Sequence, residues 1–210
     1  MLGNHEFDLG PSALAGAFDF VASLPSLPAQ PTLASITNIG ALFPYLSANL
    51  EFAAEGSLSG LFSDALQDAS AYATTAAELS TGAGIRAEAT GRELAPWTTI
   101  QEGGETIGVL GLTTQVLASI SAVGNVTVQD PFGDGGVDNM AELAAIVQPL
   151  IDQMIASGIN KIILLTHLQQ FINEQALAPL LRGVDIIVGG GSNTLLADAA
   201  DPLAPGDTAD

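Results

Sequence analysis

The sequence predicts an α/β fold, on three observations. Lys161–Thr166 and Val184–Val188 are short, nearly continuous apolar runs, typical of strands covered on both faces of a sheet. Residues 138–157 carry apolar side chains at helical spacing. Polar residues stand where strands should end, as His167 does after the first run. Because ligands of open α/β sheets bind at the carboxyl ends of strands, we expect a functional site at this edge.

The first fifty residues predict strand, loop, helix and strand. We expect Leu2 to end a strand and Gly3–Gly10 to form the loop that follows it. Pro11 suits a first helical turn, and Ala13–Leu24 continues the helix with an apolar face. Three prolines then predict a loop. Phe43–Leu50 (FPYLSANL) predicts a short buried strand.

The composition changes in the middle of the chain, and the residues that follow have the pattern of a β-hairpin. Residues 51–90 are rich in Ala, Ser, Leu and Gly, and we interpret them as a surface insertion with a helix over 57–80. Trp97–Gln101 and Thr106–Leu112 are predicted strands joined by a turn at Glu102–Glu105.

The second half predicts two further helices. Asp138 or Asn139 can cap a helix that runs to Ser157, where Gly158 ends it. Asn125–Gln129 predicts a short strand and Glu174–Leu181 a short helix. Residues 198–210 are acidic, and we interpret them as a loop cut short.

Composition excludes several classes of protein. The 210 residues are 48% hydrophobic, enough for one domain with a sizeable core. With 4 Lys and Arg against 23 Asp and Glu, the formal charge is −19, so neither a nucleic-acid polymer nor an anionic membrane is an expected partner. No apolar run approaches the ~18 residues of a membrane span. The absence of cysteine excludes disulfides and thiolate metal sites.

Two short motifs carry candidate chemistry. GNHEFD, residues 3–8, places the amide of Asn4 next to the imidazole of His5, and His167 follows an apolar strand. Taken alone, each has a plain alternative: Asn4 as a helix cap or turn residue, and either histidine as a hydrogen-bonded loop residue. A loop at Gly189–Ser192 could cradle a phosphate, but it lacks the lysine of a P-loop.

Several blocks in one order make the sequence similar to a known family. GNHEFD is followed by FPYLSANL, then IGVLGLTT at 107–114, ILLTHLQQ at 163–170 and RGVDIIVGGGSNT at 182–194. This order resembles the 5′-nucleotidase branch of the calcineurin-like metallophosphoesterases. The resemblance implies a metallophosphatase-type sandwich of two sheets flanked by helices (αββα), of which residues 1–210 would form an incomplete catalytic domain.

The same resemblance implies a site with two divalent metal ions. Asn4 and His167 would be metal ligands, whereas His5 would stabilise the transferring phosphoryl group and protonate the leaving oxygen. The identity of the ions, Mn²⁺, Mg²⁺, Ca²⁺ or Zn²⁺, is left open. The family's first metal-binding motifs lie upstream of GNHE, so we expect this chain to be a fragment that lacks them.

One departure from the family lies in the glycine-rich loop. Gly191 stands where the family has a ligand histidine, and Asn193 stands where it has a second one. An amide oxygen in place of an imidazole nitrogen favours hard cations, which makes Asn193 a candidate metal ligand. The alternative for Asn193 is a turn residue with a left-handed backbone.

The expected function is hydrolysis of a phosphate monoester, most simply a 5′-nucleotide or related small molecule, by a water that the two metals activate. The fragment alone is expected to be inactive, and the family implies a periplasmic or secreted protein. Two alternatives stay open: a non-catalytic, cation-binding or structural relative with a degenerate site, and a fragment that folds but does nothing by itself. The oligomeric state is not predicted.

Overall fold

The computed structural model describes residues 1–18, 44–64, 94–192, 194–195, 197 and 200–205. A 3₁₀ turn at His5–Phe7 precedes the first helix, and another at Ala178–Leu180 follows the last. The helices and strands of this part of the chain are α1 (Pro11–Phe18), β1 (Tyr45–Leu46), β2 (Leu50–Glu51), β3 (Leu94–Ala95), β4 (Trp97–Glu102), β5 (Glu105–Thr113), α2 (Leu117–Ile120), β6 (Thr127–Val128), α3 (Met140–Ala156), β7 (Ile162–His167), α4 (Phe171–Leu177) and β8 (Ile186–Gly190).

A four-stranded sheet in the order β4-β5-β7-β8 organises the fold. β4 and β5 form the predicted antiparallel hairpin, whereas β5, β7 and β8 are parallel. In the register, Thr113 pairs with His167, and His167 pairs with Gly190. The carboxyl ends of three parallel strands therefore meet at one edge. The mixed arrangement of helices and sheets confirms the predicted α/β class.

The remaining described strands form two small sheets of two strands each. β1 pairs with β3 in parallel, and β2 pairs with β6 in antiparallel orientation. FPYLSANL was expected to form one strand, and this was wrong, because Tyr45–Leu46 and Leu50 belong to different sheets. Between them, the Ala48 N–H donates to the Gly111 carbonyl of β5, and the Asn49 side chain bonds to Thr113. These bonds turn the chain from one sheet to the other.

Helix α3 confirms the cap predicted from the sequence. The Asn139 side chain accepts a hydrogen bond from the Glu142 N–H, which satisfies one of the open donors of the first turn. At the other end, Gly158 has φ +88°, a left-handed conformation that suits glycine and ends the helix. The buried face of α3 packs on the four-stranded sheet through Leu143, Val147, Ile151 and Met154.

Several element boundaries differ from the prediction. Residues 56–61 form turns, so the described start of the helix predicted over 57–80 is not helical, and the rest of it lies outside the described residues. The last helix begins at Phe171 and gives way to a 3₁₀ turn, whereas we expected Glu174–Leu181. Leu2 is buried and its N–H donates to the Leu46 carbonyl, although residues 1–3 form no assigned strand.

The prediction of a second buried strand at Val184–Val188 was wrong in its burial. The strand runs over Ile186–Gly190, and the side chains of Ile186 and Val188 are 53% and 50% exposed. β8 lies at the end of the described sheet, so β7 is its one described neighbouring strand. Its apolar composition resembles that of β7, but its position leaves it half covered.

The buried side chains form two main cores. One lies between the four-stranded sheet and α3, around Trp97 and Leu110. The other gathers Leu2, Phe7 and Phe52 beneath the first loop. Along the described ranges, every helix is too short or too polar to cross a bilayer. The interpretation of 51–90 as an insertion and of 198–210 as a truncated loop stays a prediction.

Candidate functional site at the carboxyl edge of the sheet

Asn4 is held inside the first loop by contacts on both sides. It directly precedes the 3₁₀ turn and is 8% exposed. The Gly3 N–H donates to Glu6 Oε2 at 2.8 Å, and Ser121 Oγ donates to the Asn4 carbonyl at 2.9 Å. The loop therefore fixes the backbone of Asn4 and leaves its side-chain amide free to face the sheet.

The Asn4 amide meets His167, the last residue of β7. Asn4 Oδ1 lies 3.0 Å from His167 Nε2, and it also accepts a hydrogen bond from Gln169 Nε2 at 2.7 Å. The two residues are 163 positions apart in the sequence. The structure thus brings together two of the four site residues named from the sequence.

Two glycines make room for the His167 ring. A Cβ added to Gly3 would lie 2.7 Å from His167 Cε1, and one added to Gly191 would lie 2.7 Å from His167 Cδ2. Gly191 also has φ +84°, a conformation that disfavours any larger residue. From the sequence, Gly191 was described only as a position that lacks the family's ligand histidine. The structure gives it a second role, because in this arrangement a side chain there would collide with His167.

Burial sets the protonation of His167. Removal from water lowers the pKa of its imidazole, against a smaller opposing effect of the Glu6 charge, and the charge of nearby His5 lowers it further. A neutral imidazole is the form that binds metal ions. His167 is therefore held in a ligand-competent state near neutral pH.

His5 lies on the opposite, solvent side of the same loop. Its side chain is 78% exposed, and Nδ1 lies 2.8 Å from Asp8 Oδ2. The hydrogen bond and the negative charge of Asp8 raise the pKa of His5. The two histidines of the chain thus have opposite electrostatic settings: His5 favours the protonated form and His167 the neutral one.

Gln169 is a site residue that the sequence analysis missed. It has φ +68°, a left-handed backbone that other non-glycine residues of the described ranges do not adopt. Such a conformation costs roughly 1–2 kcal/mol in a non-glycine residue. In this conformation the Gln169 side-chain amide donates a hydrogen bond to Asn4 Oδ1. The sequence offers no signal for it, since a glutamine after an apolar strand is common in any loop.

A buried polar network supports the site from below. Asn49 Nδ2 donates to the Thr113 carbonyl at 2.7 Å, and the Thr113 N–H donates back to Asn49 Oδ1 at 2.9 Å. Thr113 Oγ1 also donates to the Leu2 carbonyl at 2.9 Å. Because Asn49 and Thr113 are fully buried, these bonds tie the loop that carries Asn4 to the end of β5.

Asn4 Oδ1 and His167 Nε2 are placed so that both could be ligands of one divalent cation, together with further ligands. Two ligand atoms about 2.1 Å from one ion and at a right angle to each other are about 3 Å apart, close to the observed 3.0 Å. An amide oxygen and a neutral imidazole suit such an ion. Among the described residues, no cluster of three or more His, Asp or Glu side chains includes this position. Asn193, the fourth predicted site residue, lies outside the described residues.

Comparisons with known proteins identify relatives along nearly the whole chain. The 5′-nucleotidase of Diplobatis ommata is 30% identical over 203 residues, which cover 96% of this chain and 24% of the relative. The snake venom 5′-nucleotidase of Gloydius brevicauda is 30% identical over 201 residues, with the same coverage. A crystal structure of a 5′-nucleotidase precursor from Thermus thermophilus has a TM-score of 0.59 and 30% identity, covering 98% of this chain and 28% of that one.

These comparisons confirm the resemblance inferred from the sequence blocks. No family model matches the chain. The chain spans about a quarter of the length of the curated relatives it matches.

Proposed function

Because this chain is related to the 5′-nucleotidases in sequence and in fold, we propose that it supplies part of the active site of an enzyme that hydrolyses nucleotide phosphate monoesters. The observation that carries the proposal is the contact between Asn4 Oδ1 and His167 Nε2. It joins two widely separated motifs at the edge of the sheet where α/β proteins bind ligands.

In this proposal, Asn4 and His167 hold a divalent cation, and Asn193 and residues beyond this chain complete a two-metal site. Such ions stabilise negative charge on phosphoryl oxygens and lower the pKa of water. Asn4 contributes an amide oxygen whose position the loop fixes, and His167 contributes a neutral imidazole in a slot between two glycines. Mn²⁺, Mg²⁺, Ca²⁺ and Zn²⁺ all remain candidates.

His5 is proposed to act on the substrate rather than to bind metal. Its ring is exposed to incoming ligands, and Asp8 accepts a hydrogen bond from Nδ1 and favours the protonated form. A protonated imidazole can stabilise the charge of a transferring phosphoryl group and protonate the leaving alkoxide. Asp8 then positions His5 and maintains its charge.

The test uses the full-length protein and hydrolysis of AMP and p-nitrophenyl phosphate with each of the four metals. We expect His5→Ala to lower kcat about 10²–10⁴-fold without changing the bound metal. His167→Ala should lower both the metal content, measured by elemental analysis, and the activity. Glu102→Gln, an exposed change at the end of β4, should alter neither. Unchanged turnover in His5→Ala would refute the role of His5.

A non-catalytic, cation-binding relative is the second candidate, and Gly191 favours it. This residue has no side chain to offer, and its neighbourhood has no room for one beside His167. The same experiment separates the candidates. Metal content that depends on His167, with no turnover of either ester under any of the four metals, would support the non-catalytic alternative.

We further propose that the parent protein is periplasmic or secreted and acts on a small-molecule phosphate ester. The support is the relationship to 5′-nucleotidases, one of which is a venom protein. Cell fractionation followed by immunodetection tests the location, and recovery with cytoplasmic markers would contradict it.

A further inference from the structure

A second polar cluster lies away from the Asn4–His167 contact, at the start of α3. One carboxylate oxygen each of Asp130, Asp134 and Glu142 lies within 4.8 Å of the other two. Asp130 and Asp134 belong to the loop before the helix and are exposed, whereas Glu142 is in the first turn of α3. We call these three residues the acidic triad.

Glu142 is the unusual member of the acidic triad. It is only 1% exposed, and neither of its carboxylate oxygens has a hydrogen-bond partner in the part of the chain that the structure describes. Burying a carboxylate without a partner costs several kcal/mol, and leaving a buried polar atom unsatisfied costs about 1–3 kcal/mol. No salt bridge between described residues reaches any of the three carboxylates. Glu142 therefore faces two like charges, and no described hydrogen bond or salt bridge to its carboxylate compensates them.

The rest of the loop is built around these carboxylates. The Asp134 and Gly135 N–H groups donate to the two oxygens of Asp130 at 2.9 and 3.0 Å, and these backbone bonds lower the pKa of Asp130. Asn139 Nδ2 donates to Asp134 Oδ2 at 2.7 Å, and Asn139 also caps α3. Both aspartates are thus oriented while Glu142 stays unsatisfied.

We propose that the acidic triad binds a calcium ion. Calcium takes six to eight oxygen ligands at about 2.3–2.6 Å, so oxygens on opposite sides of one ion are about 5 Å apart, a span that contains the acidic triad. An ion there would supply the partner that Glu142 lacks and would remove the repulsion among three carboxylates. Asp130 and Asp134 would hold it from the solvent side and Glu142 from the protein side.

A bound ion would also tie the loop to the sheet. Asn139 donates its backbone N–H to Gln115 Oε1 at 2.7 Å, and Gln115 lies two residues after the end of β5. Glu142 belongs to the helix whose other residues pack on the four-stranded sheet. Calcium is therefore a structural ligand in this proposal, and it is independent of the proposed phosphoesterase site.

The competing explanation is that Glu142 remains protonated and binds nothing. Burial raises the pKa of Glu142, and the charges of Asp134 and Asp130 raise it further. The Phe132 backbone N–H has a smaller opposing effect, but it is too poorly placed to form a hydrogen bond with either carboxylate oxygen. A neutral carboxyl would relieve the repulsion without an ion. The two explanations make different predictions: Ca²⁺ should bind and raise Tm if the acidic triad is a calcium site, and should do neither if Glu142 is simply protonated.

The experiment is a calorimetric titration of the metal-free full-length protein with Ca²⁺, together with thermal unfolding with and without Ca²⁺. We expect Ca²⁺ to raise Tm and Glu142→Gln to weaken binding at this site at least about tenfold, because affinity follows the number of charged ligands. Asp134→Asn should weaken it as well. The charge-matched control Glu102→Gln should bind as the unsubstituted protein does.

His167→Ala separates this proposal from the proposed phosphoesterase site. That variant should keep the binding event that Glu142→Gln loses, even if its catalytic metals are gone. The proposal is overturned if Glu142→Gln binds Ca²⁺ with unchanged affinity and stoichiometry, or if millimolar Ca²⁺ neither binds nor raises Tm. A parallel titration with Mg²⁺ that binds more tightly than Ca²⁺ would also overturn the choice of calcium.

Discussion

β7 and β8 are neighbouring parallel strands with similar apolar sequences, but their environments differ. In β7 the burial alternates, and Ile162, Leu164 and Thr166 are fully buried. In β8, Ile186 and Val188 are each about half exposed, and every residue of the strand is at least partly exposed. β7 lies between β5 and β8, whereas β8 has one described neighbouring strand.

This contrast teaches that position in the sheet, rather than composition, determines burial. Both runs satisfy the sequence pattern of a strand covered on two faces. β5 and β7 each lie between two strands, whereas β8 has one described neighbouring strand and contacts α4 at Gly189. The same principle applies to the two histidines: His167 is half-buried at the end of β7, whereas His5 is exposed on the first loop.

We expect the greatest difference between an inner and an edge strand when a glycine in each strand is replaced by alanine. In Gly111→Ala, on β5, the new Cβ would lie 2.2 Å from the Leu46 carbonyl oxygen, a backbone atom that cannot easily move. We expect a loss of about 3 kcal/mol or more in the free energy of unfolding. In Gly189→Ala, on β8, the nearest atom is Glu174 Cδ at 3.4 Å, an ordinary contact, so the change should stay within about 0.5 kcal/mol. Urea denaturation of both variants measures this, and equal losses would contradict it.

An effect of similar or smaller size is expected from removing apolar side chains on the two strands. Leu164→Ala opens a cavity in the core beneath α3 and should cost about 2–5 kcal/mol. Ile186→Ala removes a half-exposed side chain and should cost under about 1 kcal/mol. Unfolding in urea again provides the measurement. A cost of several kcal/mol for Ile186→Ala would show that another part of the protein covers β8 in solution.

The smallest effect concerns the two histidines and their titration. In metal-free protein, NMR should give His5 a pKa above the ordinary value of about 6.5 and His167 one below it. Asp8→Asn should lower the pKa of His5, because it removes the charge of the hydrogen-bond partner, and leave His167 nearly unchanged. A His5 pKa that does not respond to Asp8→Asn would contradict the assigned contact.

The signs of the linked stability changes are opposite. The raised pKa of His5 gives a contribution that is complete below about pH 6.5 and is lost as the pH rises through the higher folded value. The lowered pKa of His167 gives a contribution that is present above about pH 6.5 and is lost as the pH falls toward the lower folded value. With Asp8→Asn, the loss of stability at higher pH should shrink, because only the Glu6 charge then raises the pKa of His5, whereas the loss on acidification should remain.

Much of the candidate site follows from local sequence. The sequence predicted that Asn4 and His167 each follow a strand. Because the carboxyl ends of parallel strands lie at one edge of a sheet, we expected the two residues to lie close together. Gln169 could not be found in this way, because its left-handed backbone is a product of the contacts around it. The burial of Glu142 was equally hidden, since a glutamate in the first turn of a helix normally faces water.

Features that depend on neighbours along the chain could be predicted before the fold was known. These are the hairpin around Gly103 and Gly104, the cap of α3 by Asn139 and the helix end at Gly158, because turn and cap preferences act over a few residues. The tertiary structure alone decided which apolar strand is covered, where FPYLSANL divides between two sheets, and how two glycines enclose the ring of His167. These features depend on contacts between residues that are far apart in the sequence, and local sequence patterns do not predict such contacts.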